Sequence, residues 1–372
     1  MEPITIKDVA RICGCGVSTV SRAINNHPDI NQETKDRIMQ VIKENNYIPN
    51  NSARNLKRSE ANTIAVLIKG ITNPFFAQMI QILEEETQKR HYSFVLHRVD
   101  EKEDEVDIAL ELIKEKRLKG IVFLGGFFTH SQEKLKQLTV PYVLSTVGIL
   151  DRVPGAADEK DERLDSAAQG KGSADAHKSD CELQFSSVSV DDFAESYKMV
   201  DYLCSLGHKE ILLLASCEDD ESIGALRLAG YRKALEDHKI PFKQENCIYM
   251  DDSIETYSME NGYVCMKRAL EAKLPVTAVY AVSDSTAIGA CRALMEAGKR
   301  IPEDVSVAGF DGLDITRYYN PTLTTIRQPV EKMAYATSKL LFDEIKKGAK
   351  HQQIIFPAEL VVGESTRKQE QE

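Results

Sequence analysis

The sequence predicts a small all-α domain of the helix-turn-helix type, followed by a larger α/β region of two lobes, each built on a doubly wound parallel sheet. Three observations predict this organisation. The first 47 residues contain three short stretches with the apolar spacing of amphipathic helices. From Asn62 onward, short apolar runs alternate with longer amphipathic ones. The same alternation starts again at the run SVSVDD, which indicates a second lobe.

Composition excludes several classes of protein before any motif is considered. The chain has 372 residues, of which 42% are hydrophobic and 28% charged, and these values argue against wholesale disorder. Its formal net charge is -11, so any surface that binds nucleic acid must be local. No run reaches the ~18 apolar residues of a membrane span, and the N-terminus lacks the apolar region of a signal peptide. We therefore expect a soluble, intracellular protein.

The first helix is predicted to begin after Thr5, because Thr5 and Asp8 have the spacing of a capping box. An apolar stripe follows at Ile6, Val9, Ala10 and Cys13. Gly14 allows a tight turn into a second helix, whose inward face is predicted to be Val20, Ala23 and Ile24. A third helix is predicted to have Asn31 as its N-cap and to bury Ile38, Val41 and Ile42. Three short helices with a tight turn between the first two form the helix-turn-helix pattern, whose second helix enters the major groove of DNA.

Cys13 and Cys15 flank the turn, and a C-x-C pair can indicate a metal or redox site. Two thiolates are too few for a structural zinc site, and of the other ligand types only His27 is within plausible spacing. Cys13 lies on the apolar stripe, so buried turn cysteines are the favoured interpretation and a redox-sensing thiol is the alternative. The remaining cysteines form no CxxC pair. We expect no metal and no other cofactor.

The α/β region is predicted to contain strands in the apolar runs TIAVLI, SFVLHRV, GIVFLGG, PYVLSTV, EILLLAS, AVYAVSD and SVAGFD. Doubly wound sheets bind ligands beyond the carboxyl ends of their strands, so a small ligand is expected in a cleft there. Residues 151–184 are rich in Ala, Asp, Ser, Gly and Lys and poor in large apolar residues, which predicts a disordered insert.

Several motifs together resemble the lactose-repressor/galactose-repressor family of bacterial transcription regulators. They are TIKDVAR, VSTVSRAIN, ETKDRI, NNYIPNNSAR, NLK, NTIAVLI and NPFFAQ, and the likeness resumes beyond residue 187. The resemblance implies a cytoplasmic, nucleoid-associated homodimer that binds a pseudo-palindromic operator and responds to a small effector in a periplasmic-binding-protein-like domain. The domains are then 1–47 (helix-turn-helix), 48–60 (hinge) and 61–372 (effector binding and dimerisation). Within the effector-binding domain, the first lobe is expected to comprise about residues 61–150 and a later crossover segment, and the second lobe to begin at about 187.

The resemblance also implies which residues contact DNA. Base edges are expected to be read by Val17, Ser18 and Arg22, and phosphate or sugar by Thr5, Thr19, Ser21, Asn25, Tyr47 and Asn50. Ala53, Arg54, Leu56 and Lys57 fall in the hinge, where a leucine of this family is wedged between base steps of the minor groove. A plain interdomain linker is the alternative. The chain departs from the family pattern at Cys15 and Gly16, where valine and serine are usual, and Gly16 removes a hydroxyl N-cap.

The resemblance implies effector contacts at Asn73, Phe75, Phe76, Thr146, Arg227, Ser283, Asp284 and Asp311. Arg227 would bind paired ligand oxygens, Asp311 would accept from ligand hydroxyls, and one phenylalanine would stack on the ligand. The alternatives are a structural Arg227–Asp311 pair and core phenylalanines. Thr146 stands where the family commonly has an aspartate. An acidic run at residues 218–221 disfavours anionic effectors and favours a neutral or cationic one. The resemblance to the family implies a saccharide.

Two other functions share the two-lobed architecture: an α/β enzyme and a periplasmic solute-binding protein. The sequence contains no G-x-G-x-x-G, P-loop or G-x-S-x-G motif, and it has a helix-turn-helix where an exported protein has a signal peptide. The expected function is therefore an operator-binding repressor and not an enzyme. Whether the effector releases DNA or promotes binding stays open at this level.

Overall fold

The computed structural model describes residues 4–24, 27, 29–45, 47, 62–100, 102–126, 128, 130–147, 185–218, 220 and 222–369. Contacts divide the chain into two units, Met1–Ala61 and Asn62–Glu372. No helix among the described residues is long and apolar enough to cross a membrane.

The first unit contains the helices α1 (Ile6–Cys13), α2 (Val17–Ile24) and α3 (Gln32–Glu44). The capping box is confirmed, because the Asp8 N–H donates to Thr5 Oγ1 at 3.4 Å and the Thr5 N–H donates to Asp8 Oδ2 at 3.0 Å. Gly14 ends α1 at a φ of 61°, in the left-handed region that favours glycine. Asn31 caps α3 by accepting from the Glu33 N–H at 2.8 Å. The local rules therefore account for the start and end of α1 and for the start of α3.

The cysteines of this unit belong to its packing. Cys13 is buried with Val9, Val20 and Ile38, and Cys15 packs partly buried against the same apolar cluster. Burial raises the pKa of the Cys13 thiol, which disfavours the reactive thiolate.

The second unit alternates strands and helices along the chain. The strands are β1 (Thr63–Ile68), β2 (Ser93–Arg98), β3 (Leu118–Leu124), β4 (Tyr142–Ser145), β5 (Ser186–Val190), β6 (Ile211–Ala215), β7 (Cys247–Tyr249), β8 (Ala278–Ala281), β9 (Ser306–Asp311), β10 (Thr324–Arg327), β11 (Gln353–Phe356) and β12 (Glu359–Val361). The helices are α4 (Phe75–Lys89), α5 (Glu105–Lys116), α6 (Gln132–Leu135), α7 (Asp192–Ser205), α8 (Ile223–Asp237), α9 (Met259–Glu271), α10 (Asp284–Glu296) and α11 (Val330–Lys347).

These strands form two six-stranded sheets, with the orders β11-β5-β4-β3-β1-β2 and β12-β10-β9-β8-β6-β7. All the pairs are parallel except β10 with β12. The structure corrects the expected start of the second lobe at about 187, because β5 pairs with β4 and β11 in the first sheet. A strand's own residues indicate that it is a strand but not which neighbour it pairs with, and here the second sheet begins only at β6.

Helices cover both faces of each sheet, so the central strands are buried along their whole length. Alternate residues of β1 contribute to two different apolar clusters: Ile64 and Val66 to one, Ala65 and Leu67 to the other. This double burial explains why TIAVLI is continuously apolar instead of alternating. It also leaves only the strand ends to line a cleft.

Candidate functional site

A cavity lies between the carboxyl ends of the two sheets. About 720 Å³ of space, part of it open to solvent, is not filled by protein atoms there. The first lobe contributes Lys69, Gly70, Asn73, Phe75, Phe76, Gly125, Gly126 and Thr146 to its lining, and the second contributes Ser222, Ile223, Arg227, Thr256, Tyr257, Asp311 and Gln328. Six of the eight residues that the sequence predicts for an effector site are among them.

Three lining residues that carry a Cβ, Thr146, Tyr257 and Asp311, have a backbone conformation that such residues rarely adopt. Thr146, directly after β4, has a φ of 70°, and Asp311, the last residue of β9, has a φ of 114°. Positive φ in a residue with a Cβ is uncommon, and it occurs preferentially at ligand sites, where the surrounding structure holds it. The Thr146 side chain is also buried, and its hydroxyl has no hydrogen-bond partner among the described residues.

Arg227 is held by the structure as well as lining the cavity. Its Nε and Nη2 lie 2.9 and 2.8 Å from Asp192 Oδ1, and Nη1 donates to the Val282 carbonyl. The guanidinium carbon lies 3.7 Å from the centre of the Phe310 ring. The structural partner of Arg227 is therefore Asp192 at the start of α7, and the alternative pairing with Asp311 is not what the structure shows.

Asp311 connects the two lobes. Its carboxylate accepts from Gln328 Nε2 at 2.9 Å, and from Asn73 Nδ2 of the first lobe at 3.5 Å. Burial raises the pKa of Asp311 to about 6, against the opposing effect of the Arg227 charge. A ligand that donates hydrogen bonds to this carboxylate would replace or strengthen the contact between lobes.

Ser283 and Asp284 do not line the cavity, although the sequence places them at the same rim. Ser283 Oγ accepts from the Thr286 N–H at 3.2 Å and caps α10. Asp284 accepts from the Leu313 N–H at 2.7 Å and from Thr325 Oγ1 at 2.6 Å. Asp284 therefore holds the segment that follows Asp311, whereas Ser283 caps its own helix.

Phe75 and Phe76 begin α4 with their ring centres 5.3 Å apart in an edge-to-face arrangement. Asn73 positions them by accepting from the Phe75 N–H at 3.1 Å. Gly125 makes room beside them, since a Cβ there would lie 2.8 Å from Phe76 Cζ, and Gly126 makes room for the Lys69 side chain. These glycines therefore permit a close approach of chains, without the spacing of a phosphate-binding loop.

Five polar residues of the lining are absent from the set predicted from the sequence: Lys69, Ser222, Thr256, Tyr257 and Gln328. Lys69 could have been found, because it directly follows the apolar run of β1 and therefore stands at a carboxyl end. Tyr257 lies in a loop and has a φ of 57°. No local sequence pattern indicates that it lines a cavity.

In the helical unit, Val17, Ser18 and Arg22 lie on the exposed face of α2, with Val17 41% exposed. Thr19 and Ser21 are half-buried, Thr5 caps α1, and the Tyr47 ring packs in the core. The other predicted DNA contacts lie outside the described residues: Asn25, Asn50, Ala53, Arg54, Leu56 and Lys57. The whole hinge and the insert of residues 151–184 also lie outside them.

Comparisons with known proteins agree with both units. A family model described as bacterial regulatory proteins, lacI family, matches residues 5–50, and one described as a periplasmic binding protein-like domain matches residues 200–366. The HTH-type transcriptional regulator MalR of Clostridium butyricum is 36% identical over 97% of this chain and 99% of its own. The solved complex of the transcriptional regulator CelR with cellobiose is 26% identical, covers 97% of this chain and 99% of that one, and has a TM-score of 0.63. A LacI family transcriptional regulator from Enterococcus faecium with bound ribose is 27% identical, covers 83% of this chain and 100% of that one, and has a TM-score of 0.64.

Proposed function

Because the chain belongs to the lacI family of bacterial regulatory proteins, we propose that it is a homodimeric repressor whose affinity for a pseudo-palindromic operator is set by a neutral saccharide bound between its two lobes. The relatives are named transcriptional regulators, and this chain is a DNA-binding regulator and not an enzyme. The proposal adds the effector class, its site, the dimer and a cytoplasmic location at the nucleoid.

The observation that carries the effector site is the buried Thr146 hydroxyl, which has no partner among the described residues and sits in a left-handed turn on the cavity wall. A buried hydroxyl without a hydrogen bond costs free energy, which a polar ligand recovers when it supplies the partner. Asp311 offers an acceptor on the opposite lobe, and the rings of Phe75 and Phe76 offer an apolar surface. Acceptors, donors and an aromatic face together suit a sugar ring.

Charge favours an uncharged ligand. The cationic side chains of the lining, Lys69 and Arg227, each have a buried carboxylate partner, Glu105 and Asp192, and Asp311 adds a further carboxylate. An anionic effector would therefore meet no net positive charge. The complexes of CelR with cellobiose and of the Enterococcus faecium regulator with ribose show that proteins of similar fold and sequence bind sugars, which supports the same class here.

The Asn73–Asp311 contact links the cavity to the spacing of the two lobes. A ligand that binds between these side chains favours one spacing of the lobes over another, and the operator responds to the extent that its affinity differs between the two spacings. At the DNA, Val17, Ser18 and Arg22 are proposed to read bases. Thr5, Thr19, Ser21 and Tyr47 are proposed to contact the backbone, and the hinge leucine Leu56 remains a prediction from the sequence.

The first experiment is a thermal-shift panel of cellobiose, ribose, glucose, nucleobases and amino acids, because a ligand that binds only the folded state raises the apparent Tm. A saccharide that raises Tm is then tested for its effect on the gel-shift affinity for an operator selected from random DNA. A Tm raised only by nucleobases or amino acids, or by no compound, contradicts the saccharide proposal.

Thr146→Val tests the observation that carries the proposal, since it removes the hydroxyl but keeps the shape and the β-branch. Ser338→Ala is the matched control, because Ser338 is also buried with an unpartnered hydroxyl among the described residues but does not line the cavity. We expect Thr146→Val to weaken saccharide binding about tenfold and Ser338→Ala to leave it unchanged.

A further inference from the structure

We propose that Lys69 is a ligand contact that determines effector specificity, and that its buried ion pair with Glu105 sets the cavity to accept neutral sugars in preference to sugar acids. The inference rests on the proposed saccharide site and names one of its donors. Neither residue belongs to the set that the sequence indicates.

Lys69 is fixed where it can reach both the cavity and Glu105. Its N–H donates to the Leu124 carbonyl at 3.2 Å, which holds the end of β1 against the end of β3. Gly126 makes room for its stem, because a Cβ there would lie 2.9 Å from Lys69 Cδ. The side chain is 10% exposed and lines the cavity, and its Nζ lies 2.7 Å from Glu105 Oε2.

Glu105 is held as an anion at the first residue of α5. Its Oε1 accepts from His130 Nε2 at 3.0 Å, and its side chain is 6% exposed. Burial works against ionisation, but the hydrogen bond from His130 and the Lys69 ammonium outweigh it and hold the pKa of Glu105 below its usual range. The carboxylate therefore remains a counter-charge for Lys69 at neutral pH.

In this ion pair Lys69 keeps N–H donors that Glu105 does not use, but the Glu105 carboxylate balances its charge, so Lys69 exerts no net attraction on anions. An ammonium has three N–H donors, and among the described residues the partner of this one is Glu105. The remaining donors can bind a hydroxyl or ring oxygen in the cavity. Near Lys69, a sugar acid would gain no more binding free energy than a neutral sugar does. It would also meet the Asp311 carboxylate elsewhere in the cavity lining.

Removing the lysine alone would leave a buried carboxylate unpaired, so the test compares Glu105→Gln with the double variant Lys69→Met/Glu105→Gln. Titration calorimetry with cellobiose and with glucose should show the double variant binding about ten- to a hundredfold more weakly than Glu105→Gln, the range for a lost hydrogen bond to a charged group. Lys134→Met is the matched control. Lys134 belongs to the same charged cluster, through Asp104 and Asp107, but does not line the cavity, and we expect parent-like affinity.

The charge effect is measured by the ratio of the affinities for glucose and glucuronate, which differ only at C6, and for cellobiose and cellobiuronate. Glu105→Gln leaves the ammonium without its counter-charge and should shift this ratio at least about tenfold towards the acid. A merely structural Glu105 would weaken both ligands equally.

Each outcome decides a different point. If the double variant binds sugars as Glu105→Gln does, or if the acid ratio does not move, the inference is wrong while the saccharide proposal stands. A parent protein that binds neither cellobiose nor glucose also overturns the inference on Lys69 and Glu105. A parent that binds no saccharide of the whole panel overturns the proposed function itself.

Discussion

Replacing Arg227 by alanine should destabilise the larger unit strongly, whatever it does to effector binding. The change removes the partner of Asp192, whose side chain is 2% exposed, and with it the hydrogen bond to Val282 and the stacking on Phe310. Breaking a buried ion pair from one side leaves an uncompensated charge and costs about 3–5 kcal/mol. We therefore expect Arg227→Ala to lower the free energy of unfolding by about that amount.

The assay is urea unfolding followed by far-UV circular dichroism, with the slope compared between variants so that a change in the unfolded ensemble is recognised. Arg232→Ala is the matched control on the same helix, since Arg232 is exposed and stacks 4.4 Å from the centre of the Phe242 ring. An exposed contact of that kind contributes about 0.5–1 kcal/mol. The double variant Asp192→Asn/Arg227→Met should recover most of the loss, because no charge is left unpaired.

The loss should also depend on pH. Burial raises the pKa of Asp192 and the Arg227 charge offsets part of this, so removing the arginine raises it further. In the folded variant Asp192 then retains a proton that the unfolded chain releases above about pH 4. The variant's loss in free energy of unfolding, relative to the parent protein, should therefore be larger at about pH 7.5 than at about pH 5. A loss below about 1 kcal/mol, or one no larger than that of Arg232→Ala, would refute the reasoning.

Three further changes test other parts of the molecule. Thr146→Gly should be at least as stable as Thr146→Ala in thermal melts, because a left-handed φ costs a residue with a Cβ about 1–2 kcal/mol; a clearly more stable alanine variant would contradict the strain. Burial lowers the pKa of His208, so the unfolded chain binds the proton more readily, and the His208 contribution to stability is lost as pH falls below about 6.5. His208→Gln should therefore flatten the fall in Tm between about pH 7.5 and pH 5.5, and an unchanged pH profile argues against this role. Arg22→Ala should cost about 1–3 kcal/mol of operator binding and relax specificity at one base pair per half-site, with Arg11→Ala as the exposed control; an equal loss on every sequence contradicts base reading.

Features with a short-range cause could be predicted from the sequence alone. The Thr5–Asp8 cap, the left-handed Gly14 and the Asn31 cap each depend on residues within a few positions, and the structure has all three. The same holds for the buried strands, since a run such as TIAVLI must be covered on both faces wherever it lies. The motifs that resemble the repressor family further predict which residues bind an effector, and six of those eight residues line the cavity.

The tertiary structure alone decided which residues meet. Asp192 pairs with Arg227 from a different helix, Lys69 pairs with Glu105 from the start of α5, and β5 joins the first sheet. Asp284 and Asp311 both stand at strand ends in the sequence, yet only the second faces the cavity. Local patterns cannot distinguish such cases, because burial, charge pairing and strand neighbours depend on chain segments that are distant in the sequence and become adjacent only when the two sheets are complete.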